Sequence, residues 1–179
     1  ARLYKLLASR FENINPATSE THIEGEVVGI DDAADGRTDV RSWTRWDAST
    51  GEGVLVGAYS SHVNDGVRYS TVAFPLPFSN FYGVLRFENI DGDGLLLTTY
   101  DNDGYESEET AYGYGDGGLY LVTPFAPVRL PLDERLSVRA ADEDAEDGHE
   151  READIIVRHE MYLFGRRFVT LVYYAEKGE

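Results

Sequence analysis

Apolar and polar residues alternate with a period of two through much of this chain. In 39–48, Asp39, Arg41, Trp43, Arg45 and Asp47 share one side, and Val40, Ser42, Thr44 and Trp46 the other. In 81–88, Phe81, Gly83, Leu85 and Phe87 oppose Tyr82, Val84, Arg86 and Glu88. In 128–139, Val128, Leu130, Leu132, Leu136 and Val138 oppose Arg129, Asp133, Arg135, Ser137 and Arg139; in 154–164, Ile155, Val157, Met161 and Leu163 oppose Asp154, Arg158, Glu160 and Tyr162. This period predicts antiparallel strands with one wetted face. Turn residues punctuate the runs at Asp35-Gly36, Thr50-Gly51, Asn64-Asp65-Gly66, Asp91-Gly92-Asp93-Gly94, Asn102-Asp103-Gly104, Gly115–Gly118 and Asp147-Gly148. Asn64-Asp65-Gly66 is the strongest hairpin signal, because these residues tolerate positive φ.

The rhythm implies an all-β chain of about 8–10 antiparallel strands, more than a twisted open sheet holds comfortably. A closed or nearly closed β-barrel is therefore expected, with a β-sandwich as the alternative. One helix precedes it: Leu3, Leu6, Leu7 and Arg10/Phe11 follow helical spacing and Pro16 stops the run. The expected organisation is one domain over 1–179, with a helix in 1–15 and strands in 18–177. Two stretches, 73–82 (AFPLPFSNFY) and 123–132 (TPFAPVRLPL), place prolines among apolar residues. Proline cannot donate to a ladder, so these mark strand ends, rim loops or a ligand mouth lined by Phe74, Phe78, Phe81 and Tyr82.

Composition narrows the function classes. The 179 residues carry 33 Asp+Glu against 16 Lys+Arg, a net charge of −17, and no cysteine. Disulfide scaffolds and thiol nucleophiles are excluded. Phosphate and anionic bilayers repel such a chain unless basic residues cluster locally, and the sequence shows no basic run. Neither nucleic acid nor membrane is expected as a partner, since no window approaches 18 apolar residues. With no leader or lipidation signal either, the expected location is the cytoplasm. Lys5 and Lys177 are the two lysines. Carboxylate excess with arginine in place of lysine suits a halophilic protein, because molar salt shortens the Debye length to about 3 Å; a GC-rich genome is the alternative origin.

Candidate chemistry is sparse. Frames counted from Asp91, Thr99 and Asp101 each lack required oxygen ligands of a calcium loop, and the histidines His22, His62, His149 and His159 form no i, i+4 pair. No metal and no cofactor is expected. Nucleophile elbows and phosphate loops are absent from the sequence. Alternation does place His159 among Ile155, Val157, Met161 and Leu163, and Glu134 between Leu132 and Leu136. A carboxylate on an apolar face needs a partner, and such groups concentrate at functional sites. Glu134 and His159 are thus the candidate acid/base pair if their strands approach one another. A one-residue slip at Pro131–Glu134 would instead send Glu134 to solvent.

A cysteine-free all-β chain with a leading helix and long closing strands resembles calycin-type, lipocalin-like barrels in layout. That resemblance implies a lumen for one small, largely apolar ligand. The expected ligand contacts are Phe74, Phe81, Trp46 and His159. Two other readings stand beside it: a small cofactor-free isomerase, cyclase or hydrolase using Glu134 and His159, and a cavity-free interaction module using a strand edge or the Trp43/Tyr82 surface.

Overall fold

The computed structural model describes residues 21–176 apart from 36, 38, 77, 91–93, 100–116, 143–148 and 150–151. The expected helix in 1–15, the turns near 91–93 and 101–104 and most of the acidic loop 142–154 lie outside the described residues. Among those described, eleven strands and the short helix α1 follow in the order β1 (Ile23–Gly29), α1 (Asp32–Asp35), β2 (Arg41–Asp47), β3 (Gly53–Asn64), β4 (Val67–Leu76), β5 (Ser79–Ile90), β6 (Gly94–Thr98), β7 (Gly118–Val122), β8 (Pro127–Arg129), β9 (Leu132–Ala140), β10 (Ile155–Leu163) and β11 (Arg166–Ala175). The described residues are all-β with almost no helix, as the alternation predicts.

Hydrogen bonds link the strands into one sheet, in the order β1-β2-β3-β4-β5-β6-β9-β10-β11, with β7 beside β5 and β8 beside β7. The β1–β2, β2–β3, β5–β6, β6–β9, β9–β10 and β10–β11 ladders are antiparallel. One sheet, not the two of a sandwich, holds the described strands.

Local chemistry explains the joints. Asp65 and Gly66 both have positive φ, 47° and 78°, as the two-residue turn between β3 and β4 demands. The expected strand 128–139 divides at Leu130-Pro131 into β8 and β9. Proline has no N–H to give, and here the Pro131 carbonyl accepts from Phe164 N–H at 3.0 Å while Leu130 N–H donates to Leu119 O at 2.7 Å. Asp31 caps α1, its Oδ1 accepting from Ala33 N–H at 2.8 Å.

Two compact units interleave along the chain. The first comprises Ala1–His62, Thr71–Gly83 and Tyr120–Val128. Val40, Val72 and Ala73 are buried within it. Its Gly57 admits a close ring approach: a Cβ there would stand 3.0 Å from Phe74 Cε1 and 3.1 Å from Tyr59 Cε2. The second unit comprises Val63–Ser70, Val84–Leu119 and Arg129–Glu179. Tyr69, Val84, Leu85, Leu96, Leu119 and Ile156 are buried there, with Thr98 and Thr99.

Candidate functional site

Glu134 and His159 meet. They lie on neighbouring strands β9 and β10 of the second unit, where Glu134 stands across from Met161 and His159 across from Leu136. They are therefore diagonal neighbours on one face, a separation that long side chains bridge. His159 Nε2 lies 3.1 Å from Glu134 Oε2. The side chains are 10% and 18% exposed for Glu134 and His159. The β9–β10 register runs unshifted from Leu132 to Ala140, so the slip that would turn Glu134 outward does not occur.

The surroundings of the pair are apolar. Cross-strand pairing brings Leu136 opposite Leu97, Val138 opposite Leu95 and Val157, and Leu171 opposite His159. These residues are half-buried. A third residue fixes the carboxylate's backbone. The fully buried Thr99 accepts Glu134 N–H on Oγ1 at 2.9 Å, and its own N–H donates to Glu134 O at 3.1 Å. Sequence pattern gave no hint of Thr99, because its role exists only once β6 and β9 pair.

The opposite face of the same strands carries charged side chains beside the buried Leu96 and Ile156. There Arg135 pairs with Glu160 and Ser137 with Arg158. Glu160 Oε1 accepts from Arg158 Nη2 at 3.0 Å and Arg167 Nη1 at 2.6 Å, and Oε2 accepts from Tyr162 O–H at 3.2 Å. Burial by itself would raise the Glu160 pKa; the bonds from Arg158, Arg167 and Tyr162 outweigh it and hold the carboxyl below its ordinary range. Tyr162 is pushed up, by burial first and by the Glu160 charge second. A bulge supplies one of these partners. Register shifts between Met161 and Tyr162, so Arg167 rather than Phe168 faces Tyr162. A hollow of about 200 Å³ opens on this face, lined by Leu96, Arg135, Ser137, Arg158 and Glu160. The arginines thus gather across strands without forming any run in sequence. Their positions on the wetted faces of 128–139 and 154–164 were the available signal.

The aromatic candidates belong to the first unit and divide between two faces. Phe74 and Phe81 pack together, ring centroids 6.0 Å apart. Trp43 packs on Tyr59 at 5.8 Å, under the Arg45 guanidinium at 4.3 Å. Trp46 stands on the other side of β2, its Nε1–H donating to Glu24 Oε2 at 3.2 Å. Strand alternation thus separates Trp46 from the ring cluster around Gly57. The Tyr82 hydroxyl accepts from Arg37 Nη1 at 2.9 Å.

Over 175 residues, covering 97% of this chain, the sequence is 28% identical to the uncharacterized membrane protein YndJ of Bacillus subtilis (strain 168). The chain spans 29% of that relative's length. No protein-family model and no solved structure matches.

The match overturns two expectations, that the chain has no membrane partner and that it resides in the cytoplasm. Both rested on the lack of an apolar span and on net charge. Those are properties of this stretch alone, whereas the relative is more than three times as long. Among the described residues no helix is long and apolar enough to cross a membrane. Nor does any group of three His, Asp or Glu among them stand ready to hold a metal ion.

Proposed function

We propose that this chain is a ligand-binding module of a membrane-associated protein. It would hold the polar end of an otherwise apolar molecule at Glu134 and His159. The observation that carries this reading is the hydrogen-bonded Glu134–His159 pair, largely buried on a face otherwise built of Leu95, Leu97, Leu136, Val157, Met161 and Leu171. A carboxylate beside an imidazole offers an acceptor and a donor together, which suits a hydroxyl, amide or carboxyl group on a hydrocarbon body. The half-buried leucine and valine side chains around the pair supply area for that body. The calycin-like reading of the strand layout accords with such a role, by analogy of scaffold. The membrane setting follows the name of the Bacillus relative.

Fluorescence titration of the full chain with 1-pyrenebutanol tests this reading, with butylpyrene as the control lacking a polar end. Saturable binding of the alcohol is expected, weaker binding of the hydrocarbon, and a loss of about tenfold or more in His159→Gln, since a hydrogen bond to a charged group contributes about 1.5–3 kcal/mol. Equal binding of both probes, or none, overturns it. The carboxylate excess we read as salt adaptation, for which a melting temperature that rises from low to molar salt is the check.

A further inference from the structure

The two proline-bearing stretches are absorbed by no part of the site above, and they share a feature. Each carries a Pro-Phe dipeptide, Pro77-Phe78 and Pro124-Phe125, and each Phe stands at a hairpin tip. Phe78 follows β4 and immediately precedes β5; Phe125 lies between β7 and β8. Both tips belong to the first unit, and their hairpins adjoin through the β5–β7 pairing. The rings are 92% and 97% exposed. Such exposure is not a relaxed default. Phe78 adopts φ 63°, a left-handed conformation that disfavours a bulky side chain. Phe125 is held by its loop: Thr123 Oγ1 accepts from Phe125 N–H at 3.3 Å and Ala126 N–H at 3.2 Å, and donates to Ala126 O at 2.8 Å.

Both tips lie in long uncharged stretches of sequence. In a chain with 27% charged residues, neither Tyr69–Leu85 nor Gly117–Val128 contains an Asp, Glu, Lys or Arg. The tip of the β10–β11 hairpin differs: Phe164 is also exposed, but Arg166 and Arg167 follow it closely. Exposed aromatics on uncharged stretches match the bilayer interface, where rings sink among headgroups and formal charges resist following. A strongly acidic body would favour this contact through stretches that carry no carboxylate.

We propose that the Phe78 and Phe125 tips insert into the interfacial layer of a lipid bilayer and so seat the module on the membrane. The inference rests on the membrane-associated part of the reading above and not on the Glu134–His159 pair. Flotation of the full chain with phosphatidylcholine vesicles tests it. Measurable partitioning is expected, weaker on phosphatidylglycerol vesicles in low salt, where the net charge opposes approach. Phe78→Ser and Phe125→Ser should each lower partitioning by roughly tenfold, the double variant should float no better than protein without vesicles, and Phe164→Ser should leave flotation unchanged. Unchanged melting temperatures would show these exposed positions alter docking and not folding. Wild-type chain that fails to float, a double variant that floats equally, an equal loss in Phe164→Ser, or tips that instead dimerise the chain would each overturn the proposal. Flotation failing while pyrenebutanol still binds refutes the tips alone; Phe-dependent flotation without pyrenebutanol binding refutes the ligand site alone.

Discussion

Two carboxylates on adjacent strands show how differently one pair of strands treats a buried acid. Glu134 and Glu160 occupy opposite faces of β9 and β10. Their side chains are similarly covered, 10% and 16% exposed. Glu160 is encircled by two guanidinium groups and a phenol, partners that stay protonated across the physiological range. Glu134 has its backbone fixed by Thr99 and its carboxylate turned to one imidazole among apolar side chains. A carboxylate saturated by fixed charges is structural. One that meets, among the described residues, a single imidazole has acceptor lone pairs to spare, which is why the function is proposed at the His159 face.

The sharpest way to break this contrast is to remove His159. His159→Ala leaves a largely buried carboxylate without its imidazole and should cost about 2–4 kcal/mol in urea unfolding at neutral pH. Replacing Glu134 and His159 together by leucine should recover most of that loss, because the cost lies in the orphaned charge. If the single variant is as stable as wild type, the pair is solvated and the contrast fails.

Next comes the clamp. Thr99→Val keeps shape but removes the Oγ1 that accepts Glu134 N–H, leaving a buried donor unpaired at about 1–3 kcal/mol. Pyrenebutanol binding should weaken as well, since the carboxylate loses its anchor. A stability loss with unchanged binding would limit Thr99 to the fold.

Glu160 should behave otherwise. Its folded pKa lies below the ordinary 4.5, so its contribution is complete above that value and disappears as pH falls through the lower, folded one. Glu160→Gln should therefore cost about 1–2 kcal/mol at pH 7, and the gap from wild type should narrow steadily in melts taken below pH 4.5. Pyrenebutanol binding should not change. A gap independent of pH would show that Glu160 acts through packing. Smallest of all is Arg158→Gln. That side chain is half exposed, so its bond to Glu160 is worth less than about 1 kcal/mol and should vanish in molar salt.

Much of this arrangement was legible in the alternation. Period-two patterning assigned Arg158 and Glu160 to one face and Val157 and Met161 to the other, and the same parity placed His159 and Glu134 on the apolar side. The Asp65-Gly66 turn followed from φ preferences alone. Less was legible wherever a position's role depends on a neighbour distant in sequence. Trp46 looked like an equivalent partner for Phe74 and Phe81, yet alternation along β2 and its bond to Glu24 send it to the other side. Strand 128–139 read as continuous because a two-residue break at Leu130-Pro131 barely disturbs the hydrophobic count. The membrane protein named among the relatives had no counterpart in an apolar span here, and this chain covers 29% of that relative's length.

Local chemistry by itself determined that this chain forms antiparallel strands and where its best hairpin turns. Those properties depend on neighbours one or two residues apart. Tertiary structure alone decided that β9 lies beside β10 in a register bringing Glu134 to His159, that Thr99 grips the Glu134 backbone, and that a bulge turns Arg167 toward Glu160. Strand partners and register are set by the packing of the whole sheet, because a single-residue shift exchanges every face at once.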